Sequence, residues 1–313
     1  MRQIAILLGL LGQTGCAAPV SQTQPSRMQP QANTVGILVM AHGGTQSWNR
    51  EIATAIEPLR KRGTAVLALG MADPNTLQAV IDTLERANVQ RVAVVRIFVS
   101  GASFRSQTRY LLGLDSVAPD YFVAGGHLGG GAPDQIPHAL DIATHADGLS
   151  DWSGLGPLVS QRALEVSENR DRESVLLIAH GMGNDVDNDA LRRRMEQAGL
   201  AVYNAGFRHV KIATLREDWA PQRAVAEQDI RTWVTVHSKD GHRVIVVPFR
   251  VAGFGPYAEV LNGLPYVAAR SFLPHPAIGD WIQETAQQII CENRWASSAT
   301  PCGAVGSDSQ PQR

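Results

Sequence analysis

From Thr34 onward the chain alternates between two rhythms of apolar and polar positions. Runs of five to eight mostly apolar residues, such as "VGILVMA" and "RVAVVRIF", have the length and β-branched content of strands buried on both faces. Between them stand segments with apolar residues at helical spacing: "WNREIATAIEPLRKRG" is expected to form one helix and "NTLQAVIDTLERANV" another. Strand, helix, strand in this order predicts parallel βαβ units and an α/β protein.

The second half replays the order. "ESVLLIAHGMG" leads to helix "DNDALRRRMEQAG", strand "HVKIATLRE", helix "PQRAVAEQDIRTWVTVHSKD" and strand "HRVIVVPFRVAGFG". The phrase Ala-His-Gly recurs 138 positions apart, at His42 and His180, a repeat on the scale of a domain rather than of a solenoid. Two similar domains are therefore expected, over residues 34–167 and 172–293, each closed by a helix, "GLGPLVSQRALEVSENRDRE" in the first and "FLPHPAIGDWIQETAQQIICENRW" in the second.

The ends of the chain differ from this pattern. Residues 1–18 carry Arg2, the apolar run Ile4–Leu11 and small residues after it, the layout of a secretory signal too short to span a bilayer. Cys16 is a candidate lipid anchor, with plain cleavage near Ala17 as the alternative, and 19–33 read as a flexible Pro/Gln/Ser tether. The expectation is an exported protein, periplasmic or anchored as a lipoprotein, with a disordered tail over 296–313. Export would leave Cys291 and Cys302 as the thiols of the folded region, where disulfides persist, and predicts that they pair; a buried Cys291 with a free Cys302 is the alternative.

Charge narrows the partners. With 28 basic and 29 acidic residues the formal net charge is −1, which leaves no basic footprint for a nucleic acid. Ligands of open parallel sheets bind beyond the carboxyl ends of the strands, where His42 and His180 both stand, each beside a glycine that lets the backbone turn sharply. Imidazole there can ligate a transition metal or accept a proton. "AHGGT" is no α/β-hydrolase signature, because no G-x-S-x-G elbow occurs, and neither glycine turn fits a phosphate or dinucleotide loop. His209, His237 and His242 flank strands and read as solvated or capping residues.

Taken together, "ILVMAHGG", "GMADPNTLQAVIDTLERANVQRVAVVRIFVSG" and "GLPYVAARSFLPHPAIGDWI" resemble the class II tetrapyrrole chelatases of the CbiX/SirB type, the sirohydrochlorin cobalt- or ferrochelatases. The resemblance implies two four-stranded parallel sheets flanked by helices and facing a cleft. There a divalent metal, Co²⁺ or Fe²⁺, enters a tetrapyrrole with no cofactor beyond that substrate metal, in a chain that acts as a monomer. His42 matches the family's first histidine and His180 is its repeat counterpart. His42 is read as proton acceptor and metal contact, and His180 as a residue of metal delivery behind Asp185, Asp187 and Asp189. The family's second histidine is missing: Ser103 and Gly255 stand at its two positions. Its acidic residue is missing from the first half, where Gly70 precedes "MADP", and Glu217 is an approximate replacement completing a metal set of His42, His180 and Glu217. These departures leave two expectations, an exported chelatase or an exported protein that only binds tetrapyrrole or metal.

Overall fold

The computed structural model describes residues 34–123, 131–296 and Cys302. The expected signal, tether and Cys16, and the tail apart from Ala296 and Cys302, lie outside the described residues. In chain order the first half comprises β1 (Val35–Ala41), α1 (Gln46–Ala55), α2 (Glu57–Arg60), β2 (Ala65–Leu69), α3 (Pro74–Arg86), β3 (Arg91–Ile97), α4 (Arg105–Leu111), α5 (Asp120–Val123), β4 (Asp141–Thr144) and α6 (Leu155–Leu164). The second comprises β5 (Glu173–Ala179), α7 (Asp185–Asn204), β6 (His209–Thr214), α8 (Ala220–Lys239), β7 (Arg243–Pro248), α9 (Tyr257–Val260), β8 (Val267–Ala268) and α10 (Pro276–Glu292).

Each half holds a four-stranded sheet, ordered β2-β1-β3-β4 and β6-β5-β7-β8, with every pairing parallel. The repeat seen in the sequence is thus a repeat of topology, with β1 and β5 at equivalent places. The helix expected over "WNREIATAIEPLRKRG" is broken into α1 and α2. Pro58 causes the break, since a helix-interior proline lacks the amide donor and crowds the preceding turn.

The described residues belong to one compact unit. Its largest apolar cluster joins Val39, Ala41 and Val95 of the first sheet to Val175, Leu177 and Val247 of the second. The reason is an exchange of terminal helices. Helix α6, the last of the first half, packs on α7 and β7, while α10, the last of the second, packs on β3, β1 and α1. Close approach needs small residues: a Cβ on Gly279 would come within 2.9 Å of the Ala55 carbonyl oxygen.

Arg162 on α6 holds the exchange from inside the protein. Its side chain is 1% exposed and donates to the carbonyls of Ser271 (2.8 Å), Phe272 (2.9 Å) and Pro274, as well as to Glu165. Cys291 at the end of α10 is disulfide-bonded to Cys302, with Cα atoms 5.7 Å apart, as the even thiol count predicts. Among the described residues no helix is long and apolar enough to cross a membrane.

Candidate functional site

The two His-Gly turns are built alike. At the end of β1, Gly43 has φ +80°, and at the end of β5, Gly181 has φ +90°, a left-handed conformation that glycine adopts without strain. Each turn folds the imidazole back on the chain: His42 Nδ1 lies 2.7 Å from the Gly43 carbonyl oxygen and His180 Nδ1 2.9 Å from that of Gly181. An asparagine then fixes each loop, Asn49 Oδ1 accepting from the Gly44 amide at 2.9 Å and Asn188 Oδ1 from the Met182 amide at 3.1 Å. Because a carbonyl only accepts, Nδ1 of a neutral ring must carry the proton, and Nε2 keeps the lone pair.

The surroundings of the two Nε2 atoms differ. His42 is exposed and makes no ion pair among the described residues. His180 Nε2 lies 3.1 Å from Asp218 Oδ2 and 3.8 Å from Glu217 Oε2, and its ring meets Trp219 edge-on at 5.9 Å. With the Gly181 carbonyl taking the proton of a neutral ring at Nδ1, Nε2 turns its lone pair to the same space as the two carboxylates. Glu217 is committed elsewhere, through a 2.9 Å bond from Arg250 Nη1 to Oε1. The nearer and more exposed carboxylate is Asp218, which the sequence reading passed over.

The ligand set expected from the sequence is not assembled. His180 and Glu217 meet, but among the described residues no three His, Cys, Asp or Glu side chains are gathered to hold a metal ion, so His42 does not join them. The acidic stretch after His180 is also structural: Asn184 caps α7, Asp187 lies in its first turn, and Asp185 pairs with Arg216 at 2.9 Å. Carboxylates there stabilise the positive end of the helix.

An arginine stands beside each of Ser103 and Gly255, the two positions at which a second histidine was expected. Gly255 has φ +70°, and a Cβ there would sit 2.7 Å from Arg250 Nη1, so no larger residue fits while the Arg250–Glu217 pair stands. In the first half, buried Arg96 donates to the carbonyls of Gly101 (2.9 Å), Ser103 (2.9 Å) and His145 (3.3 Å), which pins the loop holding Ser103. Arg96 makes no ion pair among the described residues; burial, and then Arg105 and Arg109, bring its pKa down to about 10. The signal for Arg96 lay in the sequence, a lone arginine inside the apolar run "VAVVRIFV".

No protein-family model and no curated protein matches the chain by sequence. Solved structures do match in shape. SirB from Bacillus subtilis with Fe³⁺ has a TM-score of 0.60 at 12% identity, covering 83% of this chain and 97% of that one. The sirohydrochlorin chelatase SirB from Bacillus subtilis subspecies spizizenii, in complex with cobalt, has a TM-score of 0.55 with the same identity and coverage. The fold is chelatase-like.

On this chelatase-like frame the end of β3 has a pH-sensitive support from the residue that follows β4. His145 Nε2 accepts the Arg96 backbone amide at 3.1 Å, and burial, followed by Arg96 and Arg105, lowers its pKa to about 4. A histidine held neutral in the folded chain, yet free to protonate near pH 6.5 when unfolded, stabilises the fold fully above that pH. Its contribution falls as pH drops from about 6.5 to about 4, by about 3 kcal/mol in all. Urea unfolding at pH 7 and pH 4.5 checks this. The wild type should lose more stability between the two than His145→Gln, which keeps an acceptor without a titrating ring, and equal losses would refute the assignment.

Proposed function

We propose that this protein inserts a divalent metal, Co²⁺ or Fe²⁺, into a sirohydrochlorin-type tetrapyrrole, with His42 as metal contact and proton acceptor. One observation carries the reading: on a chelatase-like fold, His42 stands exposed at the carboxyl end of β1 with Nδ1 committed to the Gly43 carbonyl, which leaves Nε2 for a ligand. The two similar structures, one with Fe³⁺ and one in complex with cobalt, support a metal as partner.

Metal insertion exchanges one M²⁺ for the two protons of the macrocycle's pyrrole nitrogens. A neutral imidazole at its face accepts one proton at a time and passes it to water. Gly43 and Gly44 add no bulk beside the ring, so a flat ligand can approach. His180, with Asp218 on its Nε2, suits gathering of the cation better than proton acceptance. The Cys291–Cys302 bridge supports a site of action outside the reducing cytoplasm.

Purified protein incubated with sirohydrochlorin and Co²⁺ or Fe²⁺, followed by absorbance, tests the proposal. Product in excess over protein is the expected result. A change that stops at one equivalent assigns the protein to tetrapyrrole binding without turnover, a reading favoured by the lack of a gathered ligand set among the described residues. No change in the spectrum at all would remove both.

A further inference from the structure

A tryptophan stands at each of the two His-Gly turns, and the repeat accounts for neither. Trp48 lies in the first turn of α1, and a Cβ on Gly44, in the turn of His42, would come 3.2 Å from its Cγ. Trp219 directly precedes α8, and a Cβ on Gly183, in the turn of His180, would come 2.8 Å from its Cζ2. Each indole thus rests on a glycine of a histidine turn and remains half-buried.

The two rings come from positions that do not correspond. The histidine turns align through their asparagines, Asn49 and Asn188, and the residue before each is Trp48 in the first half and Asp187 in the second. The helices after the second strands of the two sheets, α3 and α8, align through their N-caps, which are Asp73 in the first half and Trp219 in the second. A duplication copies a packing residue to the equivalent place. Here tryptophan and aspartate have exchanged places, and an indole still reaches each turn. Capping does not explain Trp219 either. It begins a helix of 20 residues without a side-chain cap, whereas Asp73 at the matching place accepts the Thr76 amide at 2.8 Å. A residue set against the local preference of its helix is expected at a functional site.

We infer that Trp48 and Trp219 are ligand-facing residues that give each His-Gly turn an aromatic surface for a flat, π-conjugated ligand. That this ligand is the tetrapyrrole macrocycle rests on the function proposed above. Imidazole and indole then have separate roles: the imidazole lone pair meets a proton or the metal, while the indole, whose nitrogen only donates, supplies apolar contact without competing for the ion. The Trp219 ring is held for this purpose. It meets the His180 imidazole edge-on at 5.9 Å, and the Arg216 guanidinium, itself bonded to Asp185 and to the Gly183 carbonyl, lies over it at 5.7 Å. Trp48 reaches across to the second half, where a Cβ on Gly253, in the loop after β7, would lie 4.0 Å from its Cδ1. That ring therefore sits where loops from the carboxyl ends of both sheets approach each other.

Titration of the protein with metal-free sirohydrochlorin, followed by absorbance, tests the inference, with urea denaturation of each variant as a check on folding. Trp219→Ser, which offers a cap as it removes the ring, should bind the macrocycle about tenfold more weakly, and so should Trp48→Leu. Trp219→Phe and Trp48→Phe keep an aromatic face and should stay within about threefold of the wild type. Wild-type affinity in both Trp219→Ser and Trp48→Leu would overturn the inference and leave the proposed function standing. Equal losses in the phenylalanine variants and in Trp219→Ser and Trp48→Leu would assign the rings to packing and overturn it as well. A wild type that binds no sirohydrochlorin would remove the proposed function and this inference together.

Discussion

Arg162→Met is expected to lower the unfolding free energy by about 3–5 kcal/mol, the range for removing one member of a buried, charge-assisted network. The guanidinium reaches three carbonyls of the segment Ser271–Pro274 from a helix belonging to the other half, and two of them, those of Ser271 and Phe272, belong to buried residues. Methionine keeps much of the apolar stem, so the loss reports the hydrogen bonds more than the packing. Arg162→Lys should recover only part of it, because one ammonium cannot replace a planar fork spread over several acceptors. Arg270→Ala is the control: its bond to Glu165 is largely exposed, at 61%, and such pairs contribute about 1 kcal/mol or less. Urea denaturation measures all three, and a loss below about 1 kcal/mol in Arg162→Met would show that the helix exchange does not depend on it.

The second large effect concerns turnover. If the protein is a chelatase, His42→Ala should reduce the rate by about 10²-fold or more, the scale for losing an acid–base group. His180→Ala should leave the rate at saturating metal within a few-fold and raise the metal concentration needed to reach it. The asymmetry follows from the two Nε2 atoms, one facing solvent and the other paired with Asp218. Rates measured over a range of Co²⁺ concentrations separate these outcomes. Negligible effects of both substitutions would reduce the two histidines to turn-forming residues copied by the repeat.

Much of the fold was legible because a buried parallel strand has few ways to be written: "ILVMA" and "VLLIA" need apolar residues on both faces, and the glycine after each histidine marks where the chain leaves the sheet. The fourth strands were not legible as strands, since β4 has four residues and β8 two, too short for any period to show. The exchange of α6 and α10 left no trace either, because an apolar helical face does not state which sheet it covers. At the site, the sequence located His42 and His180 correctly at strand ends but could not distribute the acids around them. Asp218 reaches His180 while Glu217 turns to Arg250, a choice made by the backbone at Arg216, whose φ of +57° swings the following residues round.

The helix exchange also bears on how such a chain can change over generations. A tandem duplication normally leaves two copies, either of which can be lost without harm to the other. Here each copy has placed its last helix on its neighbour's sheet, so deletion of one copy would strip an apolar layer from the survivor. A single half of this design would need a second chain to return the helix it gives away, while the tandem arrangement leaves the two His-Gly turns free to keep unequal neighbours.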